Sequence, residues 1–176
     1  MGMRKRAFLF CALAACALAV SAQSYSLRSN ILGLATTNLN LEASMTLNRK
    51  WSLHLPVQYN PFKFGSNRQF RNFYAAPGAR YWLLESYMGG FIGMYGTAGM
   101  YSVGNLFGSK YRYEGEGYGV GLSVGKAYQI GRRWNLEWEV GAGAVWLAYD
   151  KYLCKRCGDL VDSDYGWHFL PTRAAL

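Results

Sequence analysis

Residues 134–148 read WNLEWEVGAGAVWLA, and this stretch decides the fold. Its even positions are Trp134, Leu136, Trp138, Val140, Ala142, Ala144, Trp146 and Ala148. The odd positions between them begin Asn135, Glu137, Glu139, Gly141 and Gly143. A period of two is the signature of a β-strand whose successive side chains point to opposite faces. Three further stretches behave the same way. Leu39, Leu41, Ala43, Met45 and Leu47 alternate with Asn40, Glu42, Ser44, Thr46 and Asn48; Leu53, Leu55, Val57 and Tyr59 alternate with Ser52, His54, Pro56 and Gln58. Tyr118, Val120, Leu122 and Val124 alternate with Gly117, Gly119, Gly121, Ser123 and Gly125. Each strand has one apolar face and one small or polar face, as antiparallel sheets do.

Counting outward, eight such segments cover about 25–35, 39–48, 51–60, 72–84, 89–101, 116–130, 134–149 and 167–176. Connections at 48–50, 85–88 and 131–133 are short, whereas those at 61–71, 102–115 and 150–166 are long. Short turns at one end and long loops at the other predict an all-β, eight-stranded antiparallel up-and-down transmembrane barrel. The 36–38 connection is short for an outer loop. Composition agrees: of 176 residues, 51% are hydrophobic, 16% aromatic and 16% charged, against about 25% charged in soluble domains. A chain this apolar is not disordered. Beyond the first residues it has no run of about 18 apolar residues for a membrane-spanning helix.

The first residues read as an export signal. Arg4, Lys5 and Arg6 precede an apolar run over 7–20, and Val20-Ser21-Ala22 offers small residues at a cleavage point after Ala22. This divides the chain into a signal peptide, 1–22, and one domain, 23–176. A lipoprotein signal around Cys16 fits less well, because the apolar run continues past it. Cleavage lowers Lys plus Arg from 19 to 16 against 10 acidic residues, so the mature charge is about +6. That modest excess, on an exported chain, argues against nucleic-acid binding.

Two features choose between a lipid-facing and a water-facing apolar side. An eight-stranded barrel has room inside only for modest side chains, and the glycine-rich parity at 117–125 suits that wall. Trp134 and Trp146 are twelve residues apart on one face. At ~3.3 Å per residue and a tilt of ~40°, they stand about 30 Å apart along the membrane normal, matching aromatic girdles that flank a ~25 Å apolar band. Trp51, Tyr59, Tyr118, Tyr128, Trp134 and Trp146 are the expected interfacial aromatics, and Lys126 must reach toward the inner edge. On the inward parity, Arg28, Arg80 and Arg173 face Glu42, Glu137 and Glu139, three charges of each sign that form a lumen network. His54 shares that parity and reads as a polar filler.

Cys154 and Cys157 lie in the longest outer loop and read as a local disulfide of an exported protein. A metal site with His168 and Asp159 or Asp162 fits less well, and no cofactor is expected. Gly121 to Lys126 has one residue too few for a phosphate-binding loop. A catalytic serine would need His54 or His168 as base, the latter near Ser163 and Asp164. Lys63, Arg68, Arg71, Lys110 and Arg112 in two outer loops are placed to meet lipopolysaccharide phosphates.

The chain resembles a group of Bacteroidetes outer-membrane β-barrels, the domain of unknown function 3575. The resemblance rests on Arg49-Lys50-Trp51-Ser52-Leu53, Tyr59-Asn60-Pro61-Phe62-Lys63-Phe64 and Ala79-Arg80-Tyr81-Trp82-Leu83. It continues through Arg133-Trp134-Asn135-Leu136-Glu137, Tyr149-Asp150-Lys151-Tyr152 with the two cysteines, and Pro171-Thr172-Arg173-Ala174. It implies an outer-membrane barrel, in some cases encoded near fimbrillin-type adhesins, and carries no catalytic residues. Counted from Leu170, the last strand has seven residues, short of the ~9–11 that span a bilayer, which predicts an incomplete last strand and an open edge. The expected function is a non-enzymatic outer-membrane barrel with a structural or surface-interaction role, touching lipid, lipopolysaccharide and surface or fimbrial proteins. A lipid-modifying enzyme and a soluble lipocalin-like binder are the alternatives.

Overall fold

A computed structural model of the chain describes residues 25–64, 68–104, 111–153 and 160–176. The expected signal peptide and the Cys154–Cys157 pair lie outside these residues. The described chain is nearly all antiparallel sheet: β1 (Tyr25–Arg28), β2 (Leu39–Thr46), β3 (Trp51–Asn60), β4 (Lys63–Phe64), β5 (Arg68–Ala75), β6 (Gly78–Trp82), β7 (Gly89–Gly104), β8 (Tyr111–Gln129), β9 (Asn135–Leu153) and β10 (Leu160–Ala175). They join in one sheet of order β1-β2-β3-β5-β7-β8-β9-β10. That path has eight positions, because β6 continues β5 and β4 is a short spur on it. The break between β5 and β6 falls at Ala76-Pro77, where proline has no N–H to give the ladder. The backbone there stays engaged, Ala76 N donating to Pro56 O (3.1 Å) and Gly96 N to Pro77 O (2.9 Å).

Two expectations about the ends are corrected. The strand expected over 25–35 stops at Arg28, and Ile31–Ala35 form a short helix, α1. Asn30 caps it, its side chain accepting from Leu32 N (3.1 Å), and this local bond diverts the chain from extension. Conversely, the last strand is long, 16 residues from Leu160 to Ala175. Its ladder to β9 absorbs residues expected in the loop, with irregularities at Leu160/Asp162 and at Pro171/Arg173, where proline interrupts the pairing. The short strand is therefore the first. The outer ends of β7, β8 and β9 also run farther into the expected loops than alternation alone indicated.

The sheet rolls on itself until its ends meet. Ile31 N donates to Leu176 O (2.8 Å), Leu176 N to Asn30 Oδ1 (3.2 Å) and Asn30 Nδ2 to Ala174 O (2.9 Å). Among the described residues no ladder joins β1 to β10. The wall is uneven, with β1 to β3 spanning 4, 8 and 10 residues and β7 to β10 spanning 16 to 19.

The two faces have inverted polarity. On β8, Val120 and Leu122 are 65% and 63% exposed while Ser123 between them is 3% exposed. Trp134 and Trp138 also face outward. The interior holds Glu42, Ser52, His54, Asn60, Arg80, Thr97, Ser123, Glu137 and Glu139, with a small aromatic cluster of Trp82, Phe91 and Tyr87 at the turn end. Glycine is required on the inward face of β8 where rings press on it. A Cβ on Gly121 would stand 2.6–2.8 Å from the Tyr95 ring. Gly121→Val is expected to lower unfolding stability by about 1–3 kcal/mol through overpacking, measured by denaturant titration of tryptophan fluorescence, whereas Val120→Leu on the outer face leaves it nearly unchanged.

Candidate functional site

The functional candidate is a layer of ionised side chains across the turn-side half of the lumen. Parity and register place them. Glu42 comes from β2, Arg28 opposite it from β1, Arg80 from β6, Glu137 and Glu139 from alternate positions of β9, and Arg173 from β10. Arg28 Nη2 reaches Glu42 Oε2 (2.6 Å) and Glu139 Oε2 (3.2 Å), and its Nη1 contacts Glu137. Arg80 bonds Glu42 Oε1 (3.0 Å), Glu137 Oε1 (2.8 Å) and Glu139 Oε2 (2.5 Å). Arg173 bonds Glu42 Oε2 (2.8 Å) and Glu139 Oε2 (2.9 Å). The six residues thus meet in one network of zero net charge. The Arg80 and Glu139 side chains are only 3% and 1% exposed.

Around the charges lies a second set of partners. Ser123 Oγ donates to Glu139 Oε1 (2.7 Å). Arg80 lies over the Phe91 ring (4.6 Å) and Arg173 over Tyr95 (5.3 Å). Trp82 Nε1 donates to Ser52 Oγ (2.7 Å). That hydroxyl then gives its own hydrogen to His54 Nε2 (2.7 Å), leaving Nδ1–H to donate to Glu42 Oε1 (2.7 Å). Serine, histidine and glutamate are in the bonding order of a nucleophilic triad, but the surroundings disable it. Ser52 is wholly buried under Trp82, and Glu42 is shared by three guanidiniums. The relay therefore orients His54 and completes the hydrogen bonding of the layer.

Tyr87 closes the turn end. It sits in the 83–88 connection with φ of 67°, its ring packs on Trp82 (5.7 Å) and its hydroxyl bonds Ser44 Oγ (3.1 Å). Above the charge layer, Tyr95 OH shares a hydrogen with Thr172 Oγ1 (2.5 Å) and Tyr74 OH donates to Thr172 O (3.4 Å). Sequence reasoning missed Ser52, Trp82, Tyr87, Ser123 and Thr172. Ser52 shares parity with His54, and that spacing was the available signal; the Tyr87 turn conformation has no comparable mark.

The aromatics expected at the membrane interfaces form two outward rows. Tyr118, Trp146 and Trp167 are register partners on β8, β9 and β10, and Trp146 packs on Trp167 (5.7 Å) and Tyr165 (5.8 Å). At the turn end Trp51 packs on Tyr81 (5.2 Å), and Lys126 lies over Tyr128 (4.9 Å), reaching toward the turn end. Tyr59 and Trp134 are exposed outward. Of the loop cations, Arg112 is paired with Glu114 (3.2 Å) and lies over Tyr152 (5.2 Å); the Lys63 and Arg68 side chains and Lys110 lie outside the described residues. His168 turns to the Gly166 carbonyl (3.2 Å) on its own strand. Among the described residues no group of three or more His, Cys, Asp or Glu is placed to hold a metal.

An all-antiparallel rolled sheet with greasy exterior and ionised interior defines the class of protein. Within it, the chain belongs to the family described as protein of unknown function (DUF3575), whose model matches residues 7–176. No curated protein and no solved structure matches the chain.

Removing one member of a buried ion network leaves its partners uncompensated, which costs about 3–5 kcal/mol. Glu139→Ala is expected to destabilise by that amount, since it strips Arg80 and Arg173 together. Glu85→Ala, at the exposed Arg49–Glu85 pair, is expected to cost less than about 1 kcal/mol. Denaturant unfolding of both variants in lipid or detergent checks the contrast, and equal effects would remove the layer's special role.

Proposed function

We propose that the protein is a non-enzymatic β-barrel of the outer membrane, exported by a cleaved signal peptide, with a structural or surface-interaction role. Its outer strand ends and loops meet lipopolysaccharide and surface or fimbrial proteins. The observation that carries this reading is the inverted polarity of the wall: Val120, Leu122, Val124, Ile92, Met94 and Val140 point outward while glutamates and arginines are buried. A water-facing protein with that surface would aggregate, since apolar patches on soluble monomers rarely exceed a few hundred Å². In lipid the same surface is the solvated one, and the rolled antiparallel sheet pairs its backbone along every ladder, with the Ile31–Leu176 bond and the Asn30 side chain at the seam. The two aromatic rows fit the two membrane interfaces.

The charge layer supports a scaffold more than a conduit. Its six ionised groups are mutually bonded across the lumen, and Trp82, Phe91 and Tyr87 close the turn end beneath them. In this reading the interior fixes the barrel shape and the outer end makes contacts.

Fractionation tests the reading: the protein should stay with membranes after alkaline washing and migrate faster unheated than boiled on detergent gels. Leu122→Arg, at the middle of the outward face, should lower folding into phospholipid vesicles by about 2–4 kcal/mol. A washed-out, water-soluble monomer unaffected by Leu122→Arg would favour the soluble binder instead. Altered acyl chains after incubation with lipid A would favour the enzyme.

A further inference from the structure

The lumen is not filled above the hydrogen-bonded floor of Tyr95, Tyr74 and Thr172. A chamber of about 340 Å³ stands there, within the ~300–1,000 Å³ typical of small-molecule sites. Its wall is divided. Strand register turns Gln58 of β3, Asn72 and Tyr74 of β5, and Thr97 and Tyr101 of β7 to the inside, and these supply hydroxyls and primary amides. On the other side Val145 and Leu147 of β9 and Leu170 of β10 face in and supply only apolar surface. Among the described residues no acidic or basic side chain lines the chamber. A wider space of about 720 Å³ at the outer end shares Asn72 and Tyr101 with it and gives access to it.

The polar groups of this wall are held in place but not used up. Asn72 Oδ1 accepts from Gln58 Nε2 (3.2 Å), and Asn72 Nδ2 donates to Asn38 Oδ1 (2.8 Å), which fixes both amides. Gln58 Oε1 keeps its lone pairs without a partner among the described residues. Thr97 is only 8% exposed, and among the described residues its hydroxyl has no protein partner either. A buried hydroxyl is normally hydrogen-bonded. This one borders the chamber, so whatever occupies the chamber must supply the bond. At the mouth, Tyr101, Gly115, Tyr149 and Asp164 are successive register partners from β7 to β10. The Tyr101 hydroxyl lies over Gly115, and Tyr149 OH donates to Asp164 Oδ2 (3.5 Å).

We infer that the chamber is a binding site for a neutral sugar, a hexose or disaccharide that enters from the outer end. Three features select that chemistry. The ligand is uncharged, because an ionised group would lose its hydration there and meet no opposite charge. It is rich in hydroxyls, because these donate and accept at one atom, as the facing hydroxyls and amides require. It is two-sided, because a pyranose carries hydroxyls at its rim and C–H groups on its faces. The rim bonds Thr97 and Gln58 Oε1, and a C–H face lies on Val145 and Leu147. An alkyl chain would leave the polar side of the wall unsatisfied. The site goes beyond the role proposed above, and it depends on which residues face inward rather than on what surrounds the wall.

Saturation-transfer NMR tests the proposal, with the folded protein in phospholipid nanodiscs, which carry no sugar headgroup, and with glucose, galactose, maltose and lactose as probes. At least one of the four should give saturable transfer. Thr97→Val keeps the side-chain shape and removes the hydroxyl, and should weaken that binding about fivefold, the size of one hydrogen bond. Gln58→Leu should act in the same direction, and Leu147→Trp, which fills the chamber, should abolish binding. Glucuronate, and glucosamine at pH 6, should bind roughly tenfold less well than glucose, since neither charge finds a partner. The heat-dependent gel shift reports whether each variant is folded; if Leu147→Trp loses it, Thr97→Val and Gln58→Leu decide. No saturable transfer from any of the four sugars, equal binding of the charged analogues, or binding that survives the chamber variants would each overturn the proposal. Alkaline washing decides the membrane reading separately, and a water-soluble protein would be measured in buffer by the same readout.

Discussion

The structure depends on electrostatic closure in a place that water does not reach. Three guanidiniums and three carboxylates, drawn from five strands that are far apart in the chain, occupy one layer of the lumen and neutralise one another. No one of these charges is tolerable alone at that depth, because desolvating an unpaired ion costs several kcal/mol. Together they hold β1 and β2 to β6, β9 and β10, and so hold the rolled shape where the backbone does not. One backbone hydrogen bond crosses the seam among the described residues, from Ile31 to Leu176. The layer therefore supplies much of what a β1–β10 ladder would supply.

That dependence accounts for other choices in the chain. The inward glycines of β8 leave room for rings that cover the arginines: Phe91 stands against Gly125 and under Arg80, and Tyr95 stands against Gly121 and under Arg173. His54 and Ser52 pass the demand for hydrogen bonds from Glu42 to the Trp82 indole at the sealed end. The bonding order of a catalytic triad arises here from polar satisfaction, since a buried hydroxyl, imidazole and carboxylate need each other as partners. Burial and the crowd of cations around Glu42, rather than the sequence of bonds, separate this relay from a reactive site.

The same architecture divides the molecule by height. Below Thr172 the interior is packed and ionic; above it the interior is open, lined by polar side chains such as Gln58 and Asn72 together with Val145 and Leu147. The tall wall of β7 to β10 and the low rim at α1 follow from where the first strand stops.

Much of this was legible in residue order. Strict alternation at 134–148 and 117–125 placed the strands, and parity alone put Trp134 outside and Glu137 and Glu139 inside, because a β-strand has two faces and a narrow barrel admits few large groups to one of them. Residue order did not determine where β1 ends, since 25–35 alternates well enough and the Asn30 cap wins only through its contacts with Leu32, Ala174 and Leu176. Nor did it show that β10 begins at Leu160, a length supported by pairing to β9 rather than by its own pattern. Which arginine meets which glutamate, how Tyr87 seals the base, and where the lumen stays open depend on register between strands distant in sequence. Those are properties of the rolled sheet, and only the tertiary structure decided them.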